Sequence, residues 1–170
     1  MLSCPAALNQ KTTSRKKYDV FISFRGEDTR HGITSHLYDA LIHKSINTYI
    51  DYQLNRGEDV WPALEKAIEA SYVSIVVFSE NYATSKWCLE ELVKVLQCRK
   101  LHGQVVIPVF YKTNPSHIRK QTGSYGNAFA KHERDLGTKD SESNKLKVQN
   151  WKDALTEAAN ISGWDTETHK

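Results

Sequence analysis

Several features that would assign this chain of 170 residues to particular protein classes are scarce or missing. Its three cysteines, Cys4, Cys88 and Cys98, form an odd total without C-x-x-C spacing. They are predicted to be free thiols in a reducing compartment rather than a disulfide framework. No apolar run approaches the length of a membrane span, and the one short apolar patch near the start precedes the basic cluster. Neither a transmembrane helix nor a signal peptide is predicted.

The sequence also lacks the common signatures of metal and nucleotide sites. Its seven histidines are scattered without ligand spacing, so no metal site is predicted. Neither G-x-G-x-x-G nor G-x-x-x-x-G-K-[ST] occurs. The third predicted strand ends in Phe78-Ser79, where a receiver-type phosphoacceptor would need an aspartate. Receiver domains and the two standard nucleotide-binding loops are therefore not indicated.

The positive charge of the chain belongs to its N-terminal tail. The formal charge is +3, but the first 18 residues contain four basic residues and no acidic ones, which leaves 19 basic against 20 acidic residues, or −1, for the remainder. This balance of charge argues against nucleic acid as a partner. Residues 1–17 are polar and predicted to be disordered. Their Ser, Thr and Arg content would also fit an organellar transit peptide, although the tail is short for one.

Apolar runs alternate with helical patterns along the rest of the chain. Strands are predicted at 19–24, 46–50, 73–78 and 105–111, with a short fifth at 161–164. The first helix is predicted over 29–44 with Asp28 or Thr29 as its cap, and the last helix contains Val148, Trp151 and Leu155. This alternation predicts an α/β, flavodoxin-like fold: a central parallel sheet of about five strands in the order 2-1-3-4-5, with helices on both faces. The domain is predicted to span 18–165, with a C-terminal tail at 166–170.

In that strand order, the first and third strands flank the switch point where ligands bind. The loops there are residues 25–29 and 79–86. Arg25 and Arg30 could make bidentate contacts with phosphate, and Gly26 would let the backbone approach a ligand closely. The alternative is that the arginines pair with Glu27 and Asp28.

The helix after the second of these loops carries two candidate functional side chains. Its apolar stripe is Leu89, Leu92, Val93 and Leu96, and helical geometry places Trp87 and Glu91 on the opposite side. Glu91 is then either an ordinary solvated acid in a first turn or a functional group. Glu90 is predicted to pair with Lys94. A tryptophan opposite the core needs a cover, which a ligand ring or a partner chain would supply.

Taken together, these segments resemble a plant Toll/interleukin-1 receptor (TIR) domain, the kind found at the N-terminus of intracellular immune receptors. The resemblance covers Tyr18 to Trp164. Its motifs are YDVFISFRGEDTR at 18–30, Arg56-Gly57-Glu58, WCLEEL at 87–92, VIPVFY at 106–111, and RKQTGSYG at 119–126 followed by Ala128-Phe129. The segment near 119 usually opens with Asp-Pro-Ser, where this chain has Asn114, and Trp61 stands at a usually aliphatic position.

The resemblance implies cleavage of the nicotinamide–ribose bond of NAD⁺ or NADP⁺, which are substrates rather than cofactors. The essential glutamate of the family precedes the second leucine of Trp-Cys-Leu-x-Glu-Leu and corresponds to Glu91, not Glu90. The implied substrate-binding residues are Phe24, Arg25, Gly26, Arg30, Arg56, Ser85 and Trp87. The implied location is the cytoplasm, with the nucleus as a second possibility.

The resemblance further implies a homo-oligomer formed by TIR–TIR contacts, and contacts with other TIR domains. One contact would use Ser35, His36 and the surface near Trp151, and a second would use the segment that contains Arg119 and Gly123. An ordinary solvent-facing helix pair is the alternative for Ser35-His36. For the whole domain, the alternative is a non-catalytic interaction scaffold. A third possibility, nucleic-acid-dependent synthesis of cyclic mononucleotides, would require Cys88 and a local basic surface.

Overall fold

A computed structural model of the protein describes residues 15–51, 60–139 and 141–168. The strands are β1 (Tyr18–Phe24), β2 (Thr48–Ile50), β3 (Ser71–Phe78), β4 (Val105–Phe110) and β5 (Trp164–Asp165). They form one parallel sheet in the order β2-β1-β3-β4-β5. The predicted fold class and strand order are confirmed, and β3 is the central strand.

Helices connect the strands on both faces of the sheet. They are α1 (Gly26–Thr29), α2 (Ile33–His43), α3 (Trp61–Glu69), α4 (Lys86–His102), α5 (Pro115–Lys120), α6 (Gly123–Leu136) and α7 (Glu142–Ala159), with a 3₁₀ turn at Tyr82–Thr84. The prediction of one helix over 29–44 is wrong at its start, because α1 ends at Thr29 and α2 begins at Ile33 with Gly32 as its N-cap. No helix of the described ranges is long and apolar enough to cross a membrane.

The sheet separates two clusters of buried side chains. On one face, α3, α4, α6 and α7 pack around strand residues such as Phe21 and Val76. On the other face, α2 packs over a smaller cluster that includes Phe24 and Val77. Side chains of a strand alternate between faces, so Ser23 points toward α4 while Phe24 points toward α2. This alternation decides which side chains of β1 lie next to α4.

The pairing of β1 with β3 sets the position of the loops that follow them. The two strands run in register from Tyr18 opposite Ser71 to Phe24 opposite Val77. Parallel strands in register end at the same edge of the sheet, which places the loops after Phe24 and Phe78 side by side. The predicted meeting of these loops at the switch point is confirmed.

Candidate functional site at the switch point

Asp28 joins the two loops at the switch point. Its Oδ2 accepts hydrogen bonds from Ser79 Oγ at 2.6 Å and from the Asn81 backbone N–H at 3.0 Å. Its Oδ1 accepts from Asn81 Nδ2 at 3.4 Å. The sequence predicted Asp28 as a possible helix cap, and this prediction is wrong. The Asp28 carboxylate instead accepts hydrogen bonds from the loop after β3.

Arg25 pairs with Glu27 and Asp28, which was the alternative to phosphate binding in the sequence analysis. Its Nη2 lies 2.6 Å from Glu27 Oε2, and its Nε lies 3.7 Å from Asp28 Oδ1. The Arg25 side chain is 20% exposed and Glu27 is 81% exposed. Because Glu27 lies in solvent, its ion pair with Arg25 contributes little to stability.

Gly26 and Arg30 pack directly against each other. A Cβ built on Gly26 would lie 2.6 Å from Arg30 Nη2, so the guanidinium occupies the space beside the glycine. The sequence predicted that a ligand would approach the Gly26 backbone closely. In the structure, the Arg30 side chain occupies that space.

Phe24, predicted to bind substrate, ends β1 with its side chain turned into the core, so its role in substrate binding stays a prediction. The side chain is 2% exposed and packs in the cluster under α2. The physical reason is strand alternation, which directs Phe24 to the face opposite α4. Arg56, also predicted to bind substrate, lies outside the described residues.

Ser85 and Cys88 fix the start of α4. Ser85 is the N-cap, and its Oγ accepts a hydrogen bond from the Cys88 backbone N–H at 3.2 Å. Cys88 is 0% exposed, and its Sγ lies 3.6 Å from the Phe24 carbonyl oxygen, to which it donates. A thiol buried to this extent gives no support to an activity that requires an accessible Cys88.

Glu91 faces the sheet, and the prediction that it points away from the core is wrong. The residue is 3% exposed, and Ser23 Oγ donates a hydrogen bond to its Oε2 at 2.7 Å. The helix is covered by the sheet, by α3 and by α7, so its buried arc is wider than the leucine stripe and includes Cys88, Glu91 and Val95. A buried carboxylate with a serine donor is the most unusual polar group on α4.

Tyr82 extends this contact into a buried network. Its hydroxyl lies 3.0 Å from Ser23 Oγ and donates to the Cys88 carbonyl oxygen at 3.0 Å. Burial raises the pKa of Tyr82 well above its usual range, and the nearby Cys88 and Glu91 raise it further. Tyr82 therefore remains protonated and serves as a donor at neutral pH.

Trp87 lies half-buried, one helical turn before Glu91. The ring of Trp61 covers it edge-on, with ring centroids 5.3 Å apart and an interplanar angle of 87°. The two rings line a surface groove of about 610 Å³. The other lining residues are Glu65, Glu90, Val93, Lys94, Gln97 and Lys147. The Trp61 ring thus shields part of the Trp87 ring from solvent. Glu91 is not among the described residues that line this groove.

Charged residues around the groove pair across helices. Glu90 Oε1 lies 2.9 Å from Lys147 Nζ on α7. Lys94 Nζ lies 2.5 Å from Glu69 and 3.6 Å from Glu65, both on α3. The predicted pair of Glu90 with Lys94 is therefore wrong, because each residue has a partner on a neighbouring helix.

The residues predicted for self-association fall into three different environments. His36 is exposed on α2, and Ser35 Oγ donates to the Gly32 carbonyl oxygen at 3.0 Å. Arg119 Nη2 donates to the Ala159 carbonyl oxygen at 3.0 Å, and Gly123 is exposed with a φ of 59° that favours glycine. Trp151 is 1% exposed, so its ring belongs to the core and cannot form a surface contact.

The structure identifies two residues of the site that the sequence analysis missed, Ser23 and Tyr82. The signal for Ser23 was present, because it is the only polar residue in the run from Val20 to Phe24, and a hydroxyl in a buried strand needs a partner. Nothing in the sequence indicated that this partner is Glu91. Among the described ranges, no group of three or more His, Cys, Asp or Glu side chains could hold a metal ion.

His132 of α6 holds the turn that precedes α4. Its Nε2–H donates to the Ala83 carbonyl oxygen at 2.7 Å, and its ring packs 5.4 Å from the ring of Trp151. The residue is 3% exposed. Burial lowers the pKa of His132, and the nearby Lys86 and Lys131 act in the same direction, against the Ala83 hydrogen bond and Asp135.

This lowered pKa predicts a loss of stability in mild acid. The unfolded chain binds a proton at His132 near pH 6.5, whereas the folded protein does so only at lower pH. The stability that neutral His132 contributes is thus complete above pH 7.5 and decreases as the pH falls through about 6.5. Urea unfolding at pH 7.5 and 5.5 measures the difference. In His132→Gln, which retains a donor, the decrease should be smaller; an unchanged decrease would assign it to other groups.

The strand order defines the chain as a flavodoxin-like α/β domain. Its candidate site lies where the loops after β1 and β3 meet, with Glu91 buried on the helix that follows. Comparison with known families then identifies it: residues 17–170 match the TIR domain, and the chain belongs to this family.

Its relatives are plant disease resistance proteins. The chain is 56% identical over 147 residues to disease resistance protein RPV1 of Vitis rotundifolia, covering 86% of this chain and 10% of that protein. It is 50% identical over 156 residues to the TMV resistance protein N of Nicotiana glutinosa, covering 91% and 13%. The TIR domains of the activated Roq1 resistosome match with a TM-score of 0.79 at 49% identity, over 89% of both chains. The chain thus spans about a tenth of the length of these curated relatives.

Proposed function

We propose that this TIR domain hydrolyses the N-glycosidic bond of NAD⁺ or NADP⁺, releasing nicotinamide and an ADP-ribose-type nucleotide that acts as a signal in plant immunity. The observation that carries the proposal is the Glu91 carboxylate, fixed by Ser23 at the switch point one helical turn from Trp87. A buried, ionisable group at such a position is a candidate for catalysis. The relationship to disease resistance proteins supports the immune role.

The chemistry needs one carboxylate. The bond between the ribose C1′ and the nicotinamide nitrogen breaks, and its electron pair leaves with nicotinamide, which departs as a neutral molecule. The positive charge passes to the ribose as an oxocarbenium-like transition state, and the Glu91 carboxylate stabilises this charge. Water then adds to C1′ and releases a proton. No general acid is required, because the leaving group begins as a cation.

Binding uses the groups around the crevice. Arg25 can exchange its solvent-exposed partner Glu27 for an oxygen of the pyrophosphate, and Arg30 adds a second positive charge beside Gly26. The half-buried ring of Trp87 offers a surface on which a planar base can stack. These contacts would place the nicotinamide ribose toward Glu91.

Turnover requires an opening above Glu91, because only 3% of this residue is exposed. We propose that assembly of several copies supplies it, so that the rate depends on oligomer formation. The Roq1 TIR domains belong to a resistosome, which supports assembly for this domain as well. Ser35 and His36 on α2, and the segment from Arg119 to Gly123, are the proposed contact surfaces.

A non-catalytic scaffold is the competing function, and the low exposure of Glu91 favours it. To decide, purified domain is incubated with NAD⁺ at increasing protein concentration, nicotinamide is measured by chromatography, and oligomers are followed by light scattering. The proposal expects a rate that rises more steeply than protein concentration and reaches its maximum where oligomers form. Oligomers that release no nicotinamide would establish the scaffold.

A further inference from the structure

We propose that Ser23 is a positioning residue for catalysis, which fixes the Glu91 carboxylate in one orientation by donating a hydrogen bond to it, while Tyr82 holds the Ser23 hydroxyl from the other side. This inference rests on the proposed function, because it assigns to Ser23 a role in the reaction of Glu91. Ser23 itself contacts neither the Trp87 groove nor solvent, since it is 0% exposed.

The contact between Ser23 and Glu91 has a defined direction. Ser23 Oγ lies 2.7 Å from Glu91 Oε2, and an ionised carboxylate can only accept, so the single hydroxyl proton of Ser23 is committed to Glu91. A hydrogen bond to a charged acceptor is stronger than one between neutral groups. Its strength and its burial restrict rotation of the carboxylate about the terminal bond of the Glu91 side chain.

Tyr82 completes the network from the other side. With its proton donated to Glu91, Ser23 Oγ is left with acceptor capacity, and Tyr82 Oη lies 3.0 Å away. The Tyr82 O–H donates to the Cys88 carbonyl oxygen, also at 3.0 Å, which anchors the Tyr82 hydroxyl against Ser23. Ser23 Oγ thus lies between the Glu91 carboxylate, to which it donates, and the anchored Tyr82 hydroxyl, so that the three groups form one buried network.

The geometry ties this network to both elements of the switch point. Ser23 lies on β1, Tyr82 in the turn after β3, and Glu91 on α4. Any movement of the turn relative to β1 would change the Ser23–Glu91 contact. The position of the carboxylate is therefore set by β1 and by the turn after β3, in addition to α4.

A satisfied core hydroxyl is the simpler account of Ser23, and it makes different predictions. If Ser23 only fills the core, Ser23→Ala lowers stability and leaves the kinetics of the folded fraction unchanged. If Ser23 positions Glu91, the same substitution lowers kcat about 10- to 100-fold with little change in KM, because the contact acts on the reacting state and not on substrate binding. The activity lost on the acidic side of the rate profile is also lost at a higher pH, because the charged Glu91 carboxylate loses a hydrogen-bond donor.

The experiment compares Ser23→Ala, Tyr82→Phe and Ser74→Ala with the unaltered domain, measuring nicotinamide release from NAD⁺ between pH 5 and 8 under assembling conditions. Ser74 is the matched control, because it is a fully buried serine on the same sheet face, and its Oγ donates to Gln104 Oε1 at 3.1 Å, remote from Glu91. Ser23→Ala is expected to show the lowered kcat and the shifted pH profile. Tyr82→Phe should show both effects in weaker form, and Ser74→Ala neither.

Two results would overturn the inference. Equal kcat and pH profiles in Ser23→Ala and Ser74→Ala would leave the proposed function standing and make Ser23 a core hydroxyl. If the unaltered domain has no turnover, the proposed function fails, and the contact is then tested by ¹³C carboxyl NMR, with the Glu91 signal assigned from Glu91→Gln. A titration midpoint that is the same in Ser23→Ala and the unaltered domain would show that Ser23 does not act on the carboxylate.

Discussion

Glu91→Gln is expected to release nicotinamide from NAD⁺ about 10³-fold more slowly than the unaltered domain, with KM nearly unchanged. Glutamine keeps the volume of the side chain and a carbonyl oxygen that can accept from Ser23, so the fold is retained. It lacks the negative charge that stabilises the oxocarbenium-like ribose. Thermal unfolding should occur at the same or a higher temperature, because a buried charge is removed.

Glu90→Gln is the matched control for this prediction. Glu90 precedes Glu91 on α4, but its side chain is 34% exposed and pairs with Lys147 at 2.9 Å. Its kcat should stay within about twofold of the unaltered domain, because exposed ion pairs contribute little. Equal loss of activity in both variants would show that α4 as a whole, rather than the Glu91 carboxylate, is required.

Trp151→Ala is expected to lower the free energy of unfolding by about 3–5 kcal/mol, the largest effect on stability that we predict. The indole of Trp151 is 1% exposed and packs 5.4 Å from the ring of His132. Removing it leaves a cavity between α6 and α7 that the rigid surroundings can fill only in part. Urea unfolding at neutral pH, followed by circular dichroism, measures the change.

Leu146→Ala provides the comparison on the same helix, because Leu146 is 63% exposed. Its free energy of unfolding should change by less than about 0.5 kcal/mol. If Trp151→Ala instead leaves the free energy of unfolding unchanged and reduces oligomer formation, the sequence-based interpretation of Trp151 as a self-association residue would be correct.

The fold could be predicted from the sequence because its signals are strong and local. The run from Val73 to Phe78 is too apolar to lie anywhere but inside the sheet, and alternation of strands with helices requires parallel pairing. The boundaries of α2 were harder to predict. A helical pattern that begins at Thr29 cannot show that Asp28 is held by Ser79 and Asn81, far along the chain.

The orientation of Glu91 could not be predicted because helical patterns assume that charged residues face water. Glu91 is buried through contact with Ser23, a partner 68 residues away. For the same reason, the pairing of Glu90 with Lys94 failed: the neighbouring helices α3 and α7 bring Glu69 and Lys147 closer than the residue one turn along. Local spacing predicts contacts within an element, whereas this site is built between elements.

The bridge made by Asp28 has a consequence for the thermodynamics of ligand binding. Since its carboxylate joins the loop after β1 to the loop after β3, Arg25 is carried on a segment that folding has already ordered. A mobile loop would lose conformational entropy when it closes on a ligand, at about 0.5–1.5 kcal/mol for each long side chain that becomes fixed. In this domain, much of that loss occurs during folding, so the anionic substrate proposed above would meet an edge of the sheet that is largely preorganised.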